Sequence, residues 1–167
     1  AVKAHADSVA IYGIDPTDFE LSLKGIDSSV NKSNVDTLAI DFMASSNNAG
    51  YAVQTGGEPV IMDMTGPYTG ARLENATLRI SSFVYVSGSF SFQKGGSQSL
   101  TANTVGGNEV PLIDDSITLG ASHVQAFIGA GGPYRTDSNG DGHITTADEI
   151  ANPEAIGLVV DDFSFGM

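Results

Sequence analysis

The stretch ATLRISSFVYVSGSFSFQK, residues 76–94, sets the expectation for the fold of this chain. Its apolar residues mostly recur at every second position, as in Ala76, Leu78 and Ile80. Successive side chains of a β-strand point to opposite faces of a sheet, so this alternation gives a strand one apolar face and one polar face. We therefore predict antiparallel strands with one buried and one solvated side.

Alternating runs of this kind occur along the whole chain and predict an all-β fold. The other candidate strands are FELSL (19–23), LAIDF (38–42), SITLGASHVQAFIG (116–129) and AIGLVVDDFSF (155–165). Turns are predicted at SSNNAG (45–50), TGG (55–57), KGGSQS (94–99) and VGGN (105–108). A short helical turn is predicted over TADEIA (146–151), because Asn152 and Pro153 end it. We expect a β-sandwich of mainly antiparallel strands, with a β-solenoid-like stack as the alternative.

Composition limits the possible partners. The 167 residues are 41% apolar, which predicts a single domain over residues 1–167 with a real core. Twenty acidic and seven basic residues give a formal net charge of −13. Such a surface repels phosphate backbones and anionic lipids, so we predict no nucleic-acid partner. No apolar run approaches the roughly 20 residues that cross a bilayer, and no membrane insertion is predicted. The chain has no cysteine, which fits a cytosolic protein or an exported one that relies on metal ions.

The stretch DSNGDGHITTADE, residues 137–149, has the spacing of an EF-hand-like calcium loop. Alternate residues of a tightly turning chain can aim their oxygens at one point, and Gly142 permits the turn. The predicted Ca²⁺ ligands are the side chains of Asp137, Asn139, Asp141, Thr145 and Asp148 or Glu149, and the backbone carbonyl of His143. Whether Asp148 or Glu149 completes the coordination shell stays open. We place the loop as an insertion at about residues 132–154.

The flanks of this loop argue for a structural role. Asp148 stands at the twelfth position, where a calcium sensor has a bidentate Glu, and in this it resembles the loops of dockerin modules. The preceding segment FIGAGGPYRT (127–136) contains glycines and a proline that prevent the incoming helix of a sensor. A dockerin carries two such loops and this chain carries one. We expect the ion to fasten the two flanking strands together, in an extracellular setting where calcium is abundant.

Catalytic motifs are not evident, and we predict no catalytic residues and no enzymatic activity. The three histidines are His5, His123 and His143, and His123 is expected to be a half-exposed strand residue. The acidic doublets at 114–115 and 161–162 cannot form a glycosidase pair by themselves, because adjacent strand residues point to opposite faces. A glycoside-active enzyme is therefore only the third alternative.

Three long segments resemble the tandem repeat units of giant adhesin-like proteins that bacteria secrete or carry on their surface. They are AVKAHADSVAIYGIDPTDFELSLKGIDSSVN (1–31), ISSFVYVSGSFSFQKG (80–95) and residues 119–167, which include the calcium loop. The resemblance implies a calcium-rigidified extracellular rod segment whose partners are neighbouring repeat units. It also fits a chain that begins without a leader and ends within a strand.

A carbohydrate-binding module remains the alternative function, with a polysaccharide or another cell surface as the partner. Such modules stack sugars on aromatic side chains, and Tyr85 is the candidate in this sequence. A concave patch with two or more exposed aromatic side chains in line would favour this alternative, and its absence would favour the spacer.

Overall fold

The structure is a computed structural model and describes residues 1–34, 38–103, 105–107, 109–140, 144 and 149–167. The strands in this part of the chain are β1 (Val2–Ala10), β2 (Phe19–Asn31), β3 (Tyr51–Val53), β4 (Val60–Met62), β5 (Tyr68–Ile80), β6 (Val84–Asn103), β7 (Glu109–Ala130) and β8 (Ile156–Gly166). A main sheet has the order β1-β2-β5-β6-β7-β8, and β3 and β4 form a small antiparallel sheet. The predicted all-β, mainly antiparallel fold is confirmed.

Contacts between residues divide the chain into two compact units. The first unit comprises residues 1–4, 28–71 and 92–118, and the second comprises residues 5–27, 72–91 and 119–167. The single domain over residues 1–167 stays a prediction. Among the residues described above, no helix is long and apolar enough to span a membrane.

The first unit is organised around a buried asparagine at the end of β2. Asn31 is 1% exposed, and its Nδ2 donates hydrogen bonds to the carbonyl oxygens of Ile40, at 2.7 Å, and Gly66, at 2.9 Å. Met62 and Met64 are buried in the same unit. A buried polar side chain is stable only when it is hydrogen-bonded, and both amide protons of Asn31 are used here.

Two sequence predictions in the first unit are wrong. The segment LAIDF does not form a strand, because Asp41 Oδ1 accepts a hydrogen bond from the Ala44 backbone at 2.7 Å and starts a short 3₁₀ turn over Ala44–Ser46. The segment KGGSQS does not form a turn but continues β6, where Gly95 has a φ of +96°. Glycine accepts this backbone conformation within a strand at little steric cost.

The predicted helical turn over residues 146–151 lies partly outside the described residues. Glu149, Ile150 and Ala151 belong to the described part, and they adopt no regular secondary structure. No helical turn therefore forms over these three residues.

In the second unit, β7 and β8 form the antiparallel pair that the sequence predicted on either side of the loop. The pairing runs from Ala130↔Ile156 to Gly120↔Gly166, with register irregularities on both sides of Val124. Gly129 faces Gly157 across the pair, and a Cβ on either glycine would overlap the backbone of the opposite strand. The two glycines therefore permit the close approach of the strands where the loop begins and ends.

Candidate metal site

Side-chain hydrogen bonds tie the loop between β7 and β8 to β8 and join the two ends of the loop to each other. Arg135 donates from Nε to Asp161 Oδ1 at 3.1 Å and from Nη2 to Asp161 Oδ2 at 3.0 Å. These bonds to Asp161 raise the pKa of the Arg135 guanidinium above its ordinary value. Asn152 Nδ2 donates to the carbonyl oxygens of Gly131, at 2.8 Å, and Pro133, at 3.1 Å. Both stems of the loop are therefore anchored by its own residues.

The first residues of the calcium motif fold into a tight turn. Asp137 Oδ1 accepts a hydrogen bond from the backbone nitrogen of Gly140 at 2.7 Å. Gly140 has a φ of +79°, in the left-handed region that glycine adopts readily. An aspartate that bonds to the backbone a few residues on is typical of turns, and it brings Asp137 and the following residues into a compact arc.

Glu149 closes the loop from its other end. Its side chain is 4% exposed, and Oε2 accepts hydrogen bonds from the Ser138 nitrogen, at 3.0 Å, and the Ser138 Oγ, at 2.6 Å. The Glu149 carbonyl oxygen accepts a further hydrogen bond from Arg135. Because Ser138 directly follows Asp137, these contacts bring the first and last parts of the motif together.

The second carboxylate oxygen of Glu149 has the properties expected of a metal ligand. Oε1 is buried and has no hydrogen-bond partner within the part of the chain that the structure describes. An ionised oxygen that is buried without a partner is costly, and a divalent cation would supply the missing interaction. An oxygen-only donor set is also what Ca²⁺ prefers.

The predicted ligands divide into two groups. Asp137, Asn139 and Glu149 belong to the described residues, whereas Asp141, His143, Thr145 and Asp148 lie outside them. Within the described ranges, no group of three or more His, Cys, Asp or Glu side chains could hold a metal ion. Calcium binding therefore stays a prediction, supported by the fit of Glu149 and by the oxygen-rich motif.

His123 and Asp162 form a contact that the sequence did not reveal. His123 is half-exposed on β7, as predicted, and its Nδ1 lies 2.9 Å from Asp162 Oδ1 on β8. Both residues have left-handed backbones, with φ of 51° and 54°. Each lies where the register of the two strands shifts, and such bulges re-aim side chains in a way that alternation does not predict. The neighbouring Asp161 binds Arg135, so the 161–162 doublet does not form a carboxylate pair. The 114–115 doublet lies outside the side chains that the structure describes.

A cavity of about 310 Å³ lies beside the loop, within the second unit. Tyr85 and Phe127 of the sheet line it together with Tyr134 and Asp137 of the loop. The sequence pointed to Tyr85 but not to Tyr134, because nothing in the motif indicates that the loop folds over this face of the sheet.

The chain was compared with protein-family models, with curated proteins and with solved structures, and none of the three comparisons finds a match. Function is therefore inferred from the residues of the loop and of the cavity.

Proposed function

We propose that this chain is a calcium-stabilised structural or adhesive repeat domain of a large extracellular bacterial surface protein, without catalytic activity. The observation that carries the proposal is the Glu149 carboxylate, which is buried, bonded to Ser138 through one oxygen and without a hydrogen-bond partner at the other among the described residues. The resemblance to adhesin repeats supports neighbouring repeat units as partners.

In this proposal the ion is held by the motif from Asp137 to Glu149. Asp137, Asn139 and Glu149 supply oxygens from the described residues, and Asp141, His143, Thr145 and Asp148 would supply the rest. When bound, Ca²⁺ neutralises converging carboxylates in a chain whose formal net charge is −13. The fork between Arg135 and Asp161 connects the loop to β8, so ordering the loop also stabilises the pairing of β7 with β8.

The size of the effect follows from ligand linkage. An ion present at about a hundred times its dissociation constant stabilises the folded state by about 2.7 kcal/mol. Unfolding entropies are about 2.1 cal/mol/K per residue, so for 167 residues this free energy raises the melting temperature by about 8 °C. Calcium at about 1 mM, as outside the cell, gives this excess for a site with a dissociation constant of about 10 µM. The proposal therefore places the protein outside the cell.

Thermal unfolding in calcium and in EGTA tests this proposal. The wild-type chain should melt several degrees lower in EGTA, and added calcium should restore the higher temperature. The double substitution Asp137→Ala and Asp141→Ala should abolish the response. A charge-matched control replaces Asp18 and Glu58, two exposed acids outside the loop, by alanine and should keep it. An identical melting curve in chelator and in calcium would refute the proposal.

A carbohydrate-binding module is the second candidate function. The cavity beside the loop supports this alternative, because Tyr85 and Tyr134, which are half-buried rather than exposed, both line it. This observation is compatible with the structural proposal, since an adhesive repeat can also carry a ligand site.

A further inference from the structure

The cavity beside the loop has the size and construction of a small-ligand site. Its volume of about 310 Å³ falls at the lower end of the range for ligand-binding clefts, roughly 300 to 1,000 Å³. One side is the sheet, through residues of β2, β5, β6 and β7, and the other is the loop segment from Pro133 to Asp137 together with Ile144. A ligand in this cavity would therefore contact the sheet and the loop at the same time.

Aromatic rings form part of the apolar lining of the cavity, beside Val86, Ala126, Pro133 and Ile144. The rings of Tyr85 and Phe127 pack together, with centroids 6.2 Å apart and planes tilted by 45°. Tyr134 faces the cavity from the loop, and the guanidinium of Arg135 lies 5.2 Å from the centre of its ring. Because Arg135 is itself held by the fork to Asp161, the Tyr134 ring is positioned before any ligand arrives. Rigid aromatic faces are suited to pack against the C–H groups of a sugar ring.

Planar polar side chains form part of the polar lining. Glu20, Arg79 and Gln125 reach the cavity from three different strands of the sheet. A carboxylate offers two acceptors in one plane, a guanidinium two donors, and an amide one acceptor and one donor, and each of these pairs matches two adjacent hydroxyl groups. Gln125 is 8% exposed, and its Nε2 contacts the Ile144 carbonyl at 3.4 Å.

The positive charges at the cavity are already compensated. Arg79 lies 3.9 Å from Glu20 and donates hydrogen bonds to the Pro16 carbonyl, while Arg135 is bound to Asp161. An anionic ligand would find no uncompensated arginine, and it would approach a strongly acidic chain. A wholly apolar ligand would leave buried polar groups such as Gln125 without water and without new partners.

We propose that this cavity binds one ring of a neutral polysaccharide, with Tyr134 and Tyr85 against its C–H faces and Glu20, Arg79 and Gln125 at its hydroxyl groups. The assignment goes beyond the structural role proposed above, and it shares Asp137 and the loop with the proposed calcium site, so the test is made in calcium. Its failure is distinguishable from failure of the calcium proposal, since EGTA melting reports on calcium alone.

The test is a titration of the full chain, in calcium, with cellohexaose, xylohexaose and mannohexaose, and with hexagalacturonate as the acidic counterpart. Isothermal titration calorimetry gives the affinities, and amide chemical shifts of the wild-type protein map the site. We expect at least one neutral hexasaccharide to bind, at least tenfold more tightly than hexagalacturonate, with shifts concentrated at Tyr85, Gln125 and Tyr134.

Substitution of the loop tyrosine then assigns the contact. Tyr134→Ala should weaken binding at least tenfold, whereas Tyr134→Phe should stay within threefold of the wild type. The control is Tyr12→Ala, at a tyrosine that is 90% exposed and outside the cavity, and it should leave affinity unchanged. Shift mapping on the wild type decides the matter even if Tyr134→Ala fails to fold. Absence of binding by all three neutral sugars, shifts confined to other residues, or wild-type affinity in a folded Tyr134→Ala would each overturn the assignment.

Discussion

Replacing Glu149 by glutamine separates the two roles that its carboxylate has in the structure. Oε2 accepts two hydrogen bonds from Ser138, and the amide oxygen of glutamine can accept both. Oε1, which is buried without a hydrogen-bond partner among the described residues, becomes an NH₂ group that cannot bind a cation. Glu149→Gln therefore removes one proposed calcium ligand while the contact that closes the loop remains.

The expected effect can be worked out from linkage. At about a hundred times the dissociation constant, calcium contributes about 2.7 kcal/mol, and a hundredfold loss of affinity would leave about 0.4 kcal/mol. The difference is about 2.3 kcal/mol. At about 2.1 cal/mol/K of unfolding entropy per residue, a chain of 167 residues should then melt about 6 to 7 °C lower in calcium.

The assay compares four melting curves, for the wild type and the variant, each in calcium and in EGTA. In EGTA the variant should be as stable as the wild type or more stable, because the wild type then buries a carboxylate oxygen that has no hydrogen-bond partner among the described residues. Glu154→Gln changes an exposed glutamate nearby and is the matched control. An equal loss of stability in both media would mean that Glu149 acts only through Ser138, and the assignment of Oε1 as a calcium ligand would be wrong.

Three further predictions concern other contacts. His5 Nδ1 lies 2.9 Å from Asp27 Oδ1, and this hydrogen bond raises the pKa of His5 above its ordinary value of 6.5. The contact therefore stabilises the fold below pH 6.5, and this stabilisation is lost as the pH rises through the raised pKa. Asp27→Asn should lower the midpoint of the His5 titration followed by NMR. Asn31→Ala removes the donor to two carbonyls and should lower the free energy of unfolding, measured in urea, by about 2 to 3 kcal/mol. Gly157→Ala should lower the melting temperature more than Gly166→Ala, since an added Cβ at Gly166 meets no atom within 4 Å.

Each of these predictions has an outcome that contradicts it. A His5 midpoint that is unchanged in Asp27→Asn would show that the contact does not control the titration. Wild-type stability of Asn31→Ala would show that its two acceptors find other donors. Equal melting of the two glycine variants would show that β7 and β8 tolerate a side chain at their closest approach.

The alternation of apolar and polar residues predicted strands correctly where no side chain forms a competing hydrogen bond with the nearby backbone. The apolar residues of FELSL and ATLRI lie in β2 and β5 as expected. In LAIDF the same pattern is present, but the side chain of Asp41 bonds to the backbone at Ala44 and diverts the chain into a turn. A side chain that competes for backbone hydrogen bonds therefore prevailed over periodicity.

The sequence predicted only the part of the candidate metal site whose ligands lie close together along the chain. The distance in sequence from Asp137 to Glu149 suggested a set of oxygen donors around one point, and this needs no tertiary information. The contact of Glu149 with Ser138 is a tertiary contact that this spacing does not encode. The pair of His123 with Asp162 joins positions 39 residues apart through two irregular backbones, and Tyr134 reaches the cavity only because the loop folds over the sheet.

The polar contacts of the loop matter because the described part of the second unit buries few apolar side chains. Among its described residues, Ala121 and Phe127 are the buried apolar ones. Hydrophobic burial of this extent cannot hold a long connection, so the loop depends on hydrogen bonds and charge, each of which contributes only about 0.5 to 3 kcal/mol. A cation that adds about 2.7 kcal/mol is comparable with any one of these contacts. Tyr134 and Asp137 belong to the loop and also line the cavity, so a ligand that orders the loop also orders one wall of the cavity. Calcium and a bound sugar should then favour the same conformation, and each should raise the affinity for the other by the same factor.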